Sequence, residues 1–534
     1  MIVSKTRAVH ILRSCPAPLA AFLSGAAAAA GFQPLALWPL TLVALAVLLH
    51  LLSLAQGARR AMLLGWLFGV GHFWVGNTWI ATAFTYQAEM PAWLGWIAVF
   101  LLSLFLAIYP AIAAIGAWLI ARRGGLAVLV PAFAGTWIVA EWLRSWVFTG
   151  FAWNPLGVVT LGGFARPGLA LLAPWLGTYA LSAIVVLLAA SWLWAVHAFK
   201  TGKVAPAIAA ALVPVGLMVA PFPAPGQGEG TLPYRLVQPD IRQEVLNDPQ
   251  HYEANFVQTA VLSGDPVPAG QTTLFLWPES GVPDFLRTGY PRRYYIATTY
   301  AADPELARRR LGDVVGPGGI LLTGTVDLVM DARATRAVGA ENVVTAVAAD
   351  GRIAGSYAKA HLVPYGEYLP MRSLLEPLGL SRLVAGTLDF RAGPGPRTMD
   401  LGKWGRAGVQ ICYEIVFSGQ VVDRDSRPDY LFNPSNDGWF GSWGPPQHLA
   451  QARLRAIEEG LPILRSTTTG ISAVIDAGGV VRNHAGLHEA RRLDGKVPPA
   501  LAPTLFARTG NLLPLGWAML LLVAAVVASR RARR

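Results

Sequence analysis

The chain has 534 residues, 54% of them hydrophobic and only 14% charged, with a mean hydropathy of +0.44, which excludes intrinsic disorder and argues against a purely soluble protein. Charge is segregated: residues 1–222 hold 11 basic and 2 acidic side chains, residues 511–534 hold four arginines and no acid, and residues 223–510 hold 28 basic against 29 acidic. The net charge of +12 therefore belongs to the hydrophobic ends, and the polar middle is no basic nucleic-acid surface.

A membrane-spanning helix needs about 20 mostly apolar residues. Eight such stretches are predicted, over 16–32, 36–56, 61–82, 92–120, 125–143, 168–198, 204–222 and 512–529. Lys5, Arg7 and Arg13 precede the first. Arg59 and Arg60, Arg122 and Arg123, and Lys200 and Lys203 fill alternate loops, and Arg530, Arg531, Arg533 and Arg534 close the chain. The other short loops carry only Arg144 and Arg166. Basic loops stay cytoplasmic, so eight helices with both termini cytoplasmic are predicted, with the polar middle facing outward, which in a bacterium is the periplasm. No clear cleavage signal follows the first apolar run, and retention of the N-terminus is expected. The predicted domains are a seven-helix membrane region over 1–222, a polar domain over 223–508, and a C-terminal membrane helix with a basic tail over 509–534.

The loop EWLRSWVFTGFAWNP, residues 141–155, is outward in this topology and carries Trp142, Trp146, Phe148, Phe151 and Trp153 around Arg144. Two readings stay open: an interfacial aromatic belt, or a lipid-handling ledge in which Arg144 meets a phosphate as a planar donor.

From Tyr234 onward, short β-rich segments replace the long apolar runs. Strands are predicted over 234–238, 272–277, 319–329, 342–349, 352–358, 407–412, 429–434 and 471–476, with Asp350-Gly351 as a hairpin signal. Helices are predicted near 249–263, 291–302, 417–422 and 446–460. Alternation of this kind suggests one layered α/β or α+β domain.

Three predicted strand ends carry reactive side chains. Glu279 follows the apolar LFLWP, where partial desolvation suits a carboxylate to proton transfer. Lys359 follows a strand in YAKAHLVPYGEYLP, with Glu367 eight residues on; a Lys among apolar residues and carboxylates can aim its charge at an oxyanion, whereas one on a surface turn is merely solvated. Cys412 ends AGVQIC, and Glu414 lies two residues on. The chain has two cysteines, Cys15 and Cys412, too few for a disulfide framework or a Cys-rich zinc site. Cys412 reads either as a buried apolar thiol or as a nucleophile at a strand-to-helix turn. His361 is a candidate base, but no Asn or Asp clearly orients it, and Glu279 is preferred.

In order, WPE (277–279), YxKxHLVPxGE (357–367) and ICYE (411–414) resemble the Glu-Lys-Cys constellation of the nitrilase, or carbon-nitrogen hydrolase, superfamily. The chain further resembles the membrane-bound apolipoprotein N-acyltransferase family in EWLRxWxxTGFxW (141–153), SNDGWFG (435–441), GPPQHLAQARLRAIE (444–458), RSTTTGIS (465–472) and ARTGN (507–511). The resemblance implies a nitrilase-like αββα sandwich over 223–508, standing on an eight-helix bundle in the bacterial inner membrane. It implies Cys412 as nucleophile, Glu279 as general base and Lys359 as oxyanion stabiliser, with Glu367, Tyr413 and Glu414 in support. Trp439 and Phe440 are implied either as a lid entering the interface or as packing. One departure is Asn247, after QPDIRQ, where many family members have Trp. The implied substrates are a phospholipid, donating its sn-1 acyl chain, and an apolipoprotein, whose diacylglyceryl-cysteine amino group accepts it by ping-pong transfer through a thioester. No metal or cofactor is needed, and a monomer is expected.

Two other readings are weighed. A membrane-tethered amidase acting on a small carbon-nitrogen substrate would use the same triad; the full-length likeness argues against it. A transporter with an outer binding domain is disfavoured because the membrane region over 1–222 holds only two acidic residues.

Overall fold

The computed structural model describes residues 16–86, 91–225, 228–375, 377 and 388–532; Cys15, Lys5, Arg7, Arg13, Arg533 and Arg534 lie outside the described residues. The chain divides into two units. One comprises Met1–Ala81, Trp93–Pro223 and Thr509–Arg534, the other Thr82–Ala92 and Ala224–Arg508.

In the first unit a helix forms at each predicted apolar stretch: Ala17–Ala29, Trp38–Ser53, Ala58–Gly76, Leu94–Leu106 continued by Ile108–Ala121, Gly125–Arg144, Ala173–Lys200, Val204–Val219 and Leu512–Arg531. Four spans, Leu94–Ala121, Gly125–Arg144, Leu169–Lys200 and Leu512–Arg531, are long and apolar enough to cross a membrane. Ala17–Ala29, Trp38–Ser53 and Val204–Val219 are shorter apolar helices. The first of these crosses Ala58–Gly76 at glycines, because a Cβ on Gly25 would lie 1.9 Å from the Phe68 carbonyl oxygen and one on Gly71 2.2 Å from that of Phe22. Small residues at such crossings let helix backbones touch where lipid gives no hydrophobic drive.

Glu141 and Arg144, three apart on the last turn of Gly125–Arg144, are both buried. Glu141 accepts from Trp137 Nε1 (2.9 Å), the Leu156 N–H (2.8 Å) and Ser182 Oγ (2.5 Å). Arg144 donates to the carbonyls of Phe151 (2.9 Å) and Trp153 (2.8 Å) and lies over the Phe73 ring. Backbone groups in a non-helical loop need such partners when water is excluded, so the pair fastens residues 145–157 to the helix.

The second unit contains twelve strands among its described residues: β1 Pro233–Gln238, β2 Thr273–Leu276, β3 Gly319–Met330, β4 Ala337–Ala348, β5 Ile353–Ala358, β6 Thr398–Asp400, β7 Arg406–Val409, β8 Tyr430–Ser435, β9 Ile463–Thr467, β10 Ser472–Ile475, β11 Val481–Ala485 and β12 Arg491–Lys496. They form two six-stranded sheets, β12-β1-β2-β3-β4-β5 and β11-β10-β9-β8-β7-β6. In each, two adjacent pairs are parallel (β1-β2-β3 and β7-β8-β9) and the rest antiparallel.

The alternation of each strand places its residues. Leu236, Leu274, Leu276, Leu322 and Val344 meet Val409, Phe432, Leu464 and Val474 of the other sheet in one core. The intervening Val237, Phe275, Leu321 and Val347 pack outward on Phe256 of helix Tyr252–Ser263 and on Ala307, Leu311 and Val315 of helix Pro304–Val315. This is why β2 is buried at all four positions: both faces are covered.

Two expectations are corrected. No helix forms over 417–422, and the strand predicted to reach Cys412 ends at Val409; a 3-10 turn, Cys412–Val416, takes its place. Strands β6, β9, β11 and β12 and helix Pro304–Val315 were not predicted. That helix nonetheless carries a start signal, since the Asp303 carboxylate accepts from the N–H groups of Glu305 (2.7 Å) and Leu306 (3.2 Å).

Candidate active site

Four polar or reactive side chains lie at or just beyond carboxyl ends of strands. β2 leads through Trp277-Pro278 to Glu279, and β5 is followed at once by Lys359. β7 leads through Gln410-Ile411 to Cys412, and β8 ends on Ser435. Pro278 has no N–H to extend the ladder, which stops the strand before the acid. Cys412 opens its turn at φ 51°, a left-handed conformation sparsely populated by any residue with a Cβ.

Lys359 is 1% exposed, Cys412 5% and Glu279 6%. The Lys359 ammonium donates to Glu367 Oε1 at 2.9 Å and faces Glu279 Oε1 at 3.5 Å. The Asn342 amide donates to both carboxylates, at 2.8 Å to Glu279 and 3.0 Å to Glu367. Glu279 Oε2 accepts the Asn436 N–H at 2.7 Å, and Glu367 Oε2 accepts that of Val363 at 2.7 Å. Burial alone would lower the Lys359 pKa, but Glu367 and then Glu279 outweigh it and hold the ammonium charged well above its ordinary range. Burial, then the charge of Glu279, push the Cys412 thiol far up, against the pull of Lys359. The resting sulfur is therefore a protonated thiol and needs a base to become a nucleophile.

Glu414 ties the Lys359 turn to the Cys412 turn. Its Oε1 accepts from Tyr357 Oη (2.8 Å) and from the N–H groups of Ala360 (2.7 Å) and His361 (3.1 Å), while Oε2 accepts that of Ile411 (2.7 Å). Burial nevertheless lifts its pKa to about 7, opposed by those N–H groups.

A second buried network adjoins Cys412 from β8 and β9. Asp437 takes two contacts from Arg465 Nη2, at 2.8 and 2.6 Å, and Arg465 also donates to Asn433 Oδ1. Burial works to raise the Asp437 pKa, but Arg465 and then His448 hold the carboxyl well below the usual range. Burial, then Arg465, lower the His448 pKa, against the pull of Asp437. Its Nε2 lies 3.1 Å from the Cys412 carbonyl oxygen and its Nδ1 3.0 Å from Arg465 Nη2. Nδ1 also lies 3.1 Å from Asp437 Oδ1, so the ring faces an acceptor at each nitrogen and the Arg465 guanidinium at Nδ1 as well. Ser435 Oγ stands 2.7 Å from Asp437 Oδ1 and 3.2 Å from Cys412 Sγ.

Of the residues expected from sequence, the structure gathers Glu279, Lys359, Cys412, Glu367 and Glu414 into this cluster. Tyr413 packs edge-on against Phe417, and Phe417 also stacks on the His361 ring at 3.8 Å. That stacked, half-buried imidazole has its pKa lowered by burial and then by Lys359, which disfavours it as the base. Trp439 is half-buried and meets Tyr86 edge-on at 5.7 Å. Asn247 ends the short helix Gln243–Leu246, and its carbonyl accepts from Tyr252 Oη. Arg144 belongs to the other unit; it is 2% exposed and donates to backbone carbonyls, fastening the loop, and of the two readings left open these contacts do not show the phosphate-binding one. Asn342, Ser435, Asp437, His448 and Arg465 were not singled out. Three of the segments that carry the resemblance contain four of them, SNDGWFG, GPPQHLAQ and RSTTTGIS, whose polar residues stand where apolar core would be expected.

Among the described residues no cluster of His, Cys, Asp and Glu fit to hold a metal is present. Residues 24–191 match the apolipoprotein N-acyltransferase N-terminal domain, and residues 236–493 match the carbon-nitrogen hydrolase family. An apolipoprotein N-acyltransferase of Rhodopseudomonas palustris is 33% identical over 519 residues, covering 92% of this chain and 91% of the relative. One of Bradyrhizobium diazoefficiens is 34% identical over 531 residues, covering 96% and 94%. The chain belongs to the apolipoprotein N-acyltransferase family. It is an N-acyltransferase with a carbon-nitrogen hydrolase domain, as the family membership of both halves requires. Among solved structures, it is similar to a nitrilase-superfamily member of Saccharomyces cerevisiae at 18% identity and a TM-score of 0.34, covering 50% of this chain and 90% of that one.

Proposed function

We propose that the enzyme transfers the sn-1 acyl chain of a phospholipid to the N-terminal α-amino group of diacylglyceryl-cysteine on apolipoproteins. The observation that carries this reading is a protonated thiol, a buried ammonium and a carboxylate brought together in a chain of this family. Glu279 takes the thiol proton and Cys412 attacks the ester carbonyl. Lys359, with a backbone N–H, stabilises the oxyanion. The lysophospholipid leaves with the proton from Glu279, and a thioester forms on Cys412. The acceptor amine then attacks the thioester and gives its proton to Glu279, which returns it to the departing sulfur. Two half-reactions through one covalent intermediate are ping-pong.

Both substrates carry acyl chains, and each buried methylene is worth about 0.8 kcal/mol, so a site reached from the membrane avoids extracting them into water. The long apolar helices support that placement. The alternation of basic loops supports eight crossings of the bacterial inner membrane, cytoplasmic termini and a periplasmic catalytic domain. A single chain supplies Glu279, Lys359 and Cys412, which supports a monomer.

The test is to incubate purified protein with phospholipid alone and weigh the Cys412 peptide. A hydroxylamine-labile acyl group on Cys412, absent in Cys412→Ala, is expected. An unmodified cysteine beside intact lipid would overturn the reading and favour hydrolysis of a small carbon-nitrogen substrate by the same triad.

A further inference from the structure

The Ser435 hydroxyl has one proton and two neighbours that compete for it, Asp437 Oδ1 at 2.7 Å and Cys412 Sγ at 3.2 Å. All three residues are buried, so water does not settle the competition. An ionised carboxylate can only accept, and at rest it takes the Ser435 proton. The hydroxyl oxygen then turns a lone pair to the sulfur and can accept the S–H. We propose that Ser435 is a catalytic residue whose hydroxyl accepts from the Cys412 thiol at rest and turns to donate to the sulfur whenever negative charge develops there.

The turn is permitted because Asp437 is not left bare. Arg465 keeps both of its contacts to that carboxylate, at 2.8 and 2.6 Å, when Ser435 leaves. Of the neighbouring side chains, Lys359 is paired with Glu367 and Glu279, and His448 Nε2 lies against the Cys412 carbonyl oxygen. The groups that set the charge around the sulfur are Glu279, Lys359 and Asp437, and Ser435 is the hydroxyl among them that reaches it.

The chemical step rests on the acyl-transfer reading above. As the amine attacks the thioester, the carbon–nitrogen bond forms, the carbon–sulfur bond breaks and its electron pair goes to sulfur. The amine proton goes to Glu279. Ser435 donates a hydrogen bond to the departing thiolate without giving up its proton, and Glu279 then reprotonates the sulfur. A donor on the leaving sulfur stabilises charge where it develops.

The test reads the sulfur without any lipid. Iodoacetamide is added across a pH series and alkylation is counted on the Cys412 peptide, since only the thiolate reacts. Ser435→Ala is expected to move the midpoint upward by about one unit, the size of a lost charge-assisted hydrogen bond, and to slow acyl release to the amine. Ser435→Thr, which keeps the hydroxyl, is expected to return toward the original curve. An alanine variant on the original curve overturns the proposal, as does a threonine variant that follows alanine. If the alanine variant does not fold, the S–H stretching band of the unaltered protein, identified by its loss in Cys412→Ala, decides. A band lowered to the hydrogen-bonded range supports the contact and one at the free-thiol position overturns it. A shifted alkylation curve in a protein that forms no acyl adduct would sink the acyl-transfer reading while leaving the Ser435 contact standing.

Discussion

The backbone N–H of Asn436 donates to Glu279 Oε2 at 2.7 Å across 157 residues of sequence, holding the end of β8 against the end of β2. The other oxygen, Oε1, receives the Asn342 amide at 2.8 Å and faces Lys359 at 3.5 Å. Each oxygen thus meets donors only. Glu279→Gln keeps the shape but turns an amide NH2 toward either the Asn436 N–H or the Lys359 and Asn342 donors, and it removes the base for a thiol that is protonated at rest. Acylation of Cys412 is expected to slow by about 10²- to 10⁴-fold, the usual worth of a positioned general base. Single-turnover formation of the acyl adduct, measured by intact mass, checks this; a variant that acylates at the original rate removes Glu279 from the role.

Arg144 makes a different prediction, because its guanidinium donates to the Phe151 and Trp153 carbonyls. Arg144→Met keeps much of the length and leaves both carbonyls without those donors. A loss of about 1–3 kcal/mol per unsatisfied buried group is expected as a lower melting temperature in detergent, with the acylation rate per folded molecule retained. A variant that melts like the original yet has lost lipid turnover would restore the direct phosphate contact.

Glu279, Lys359 and Cys412 were singled out because each lies at or near the end of a predicted strand, but their grouping came from the resemblance, since nothing in the residues alone says that the three ends meet. Lys359 directly after β5 and Glu279 after Trp277-Pro278 are local facts. The network around Asp437 was not legible: His448 lies inside helix Gly444–Glu459 and Arg465 inside β9, and no periodicity says that they converge on a residue 11 and 28 positions earlier. The helix expected over 417–422 does not form because Phe417 ends the Cys412–Val416 turn in an extended conformation and Gly419 sits at φ 75°. Edge strand β12, RRLDGK, has one buried residue and no apolar alternation to betray it.

Glu414 also sets an expected pH dependence. Its pKa in the folded protein is raised by burial to about 7, above the ordinary carboxyl value of 4.5. A group raised on folding contributes stability that is fully present below its unfolded pKa and is lost as pH climbs through the folded one. Stability from this residue should therefore decline between about pH 4.5 and pH 7 and level off above. The ionised form, in exchange, is the better acceptor for the four donors that join the Lys359 and Cys412 turns. Acylation of Cys412 is accordingly expected to rise over the same interval in which stability falls. Glu414→Gln removes the titration but sets its amide NH2 against either the Ile411 N–H or the Ala360 and His361 pair. The variant should show a flatter melting temperature across pH 5–8 and slower acylation throughout. Melting curves at unit pH steps on both proteins separate the outcomes: the same slope in the glutamine variant would assign the decline to another group.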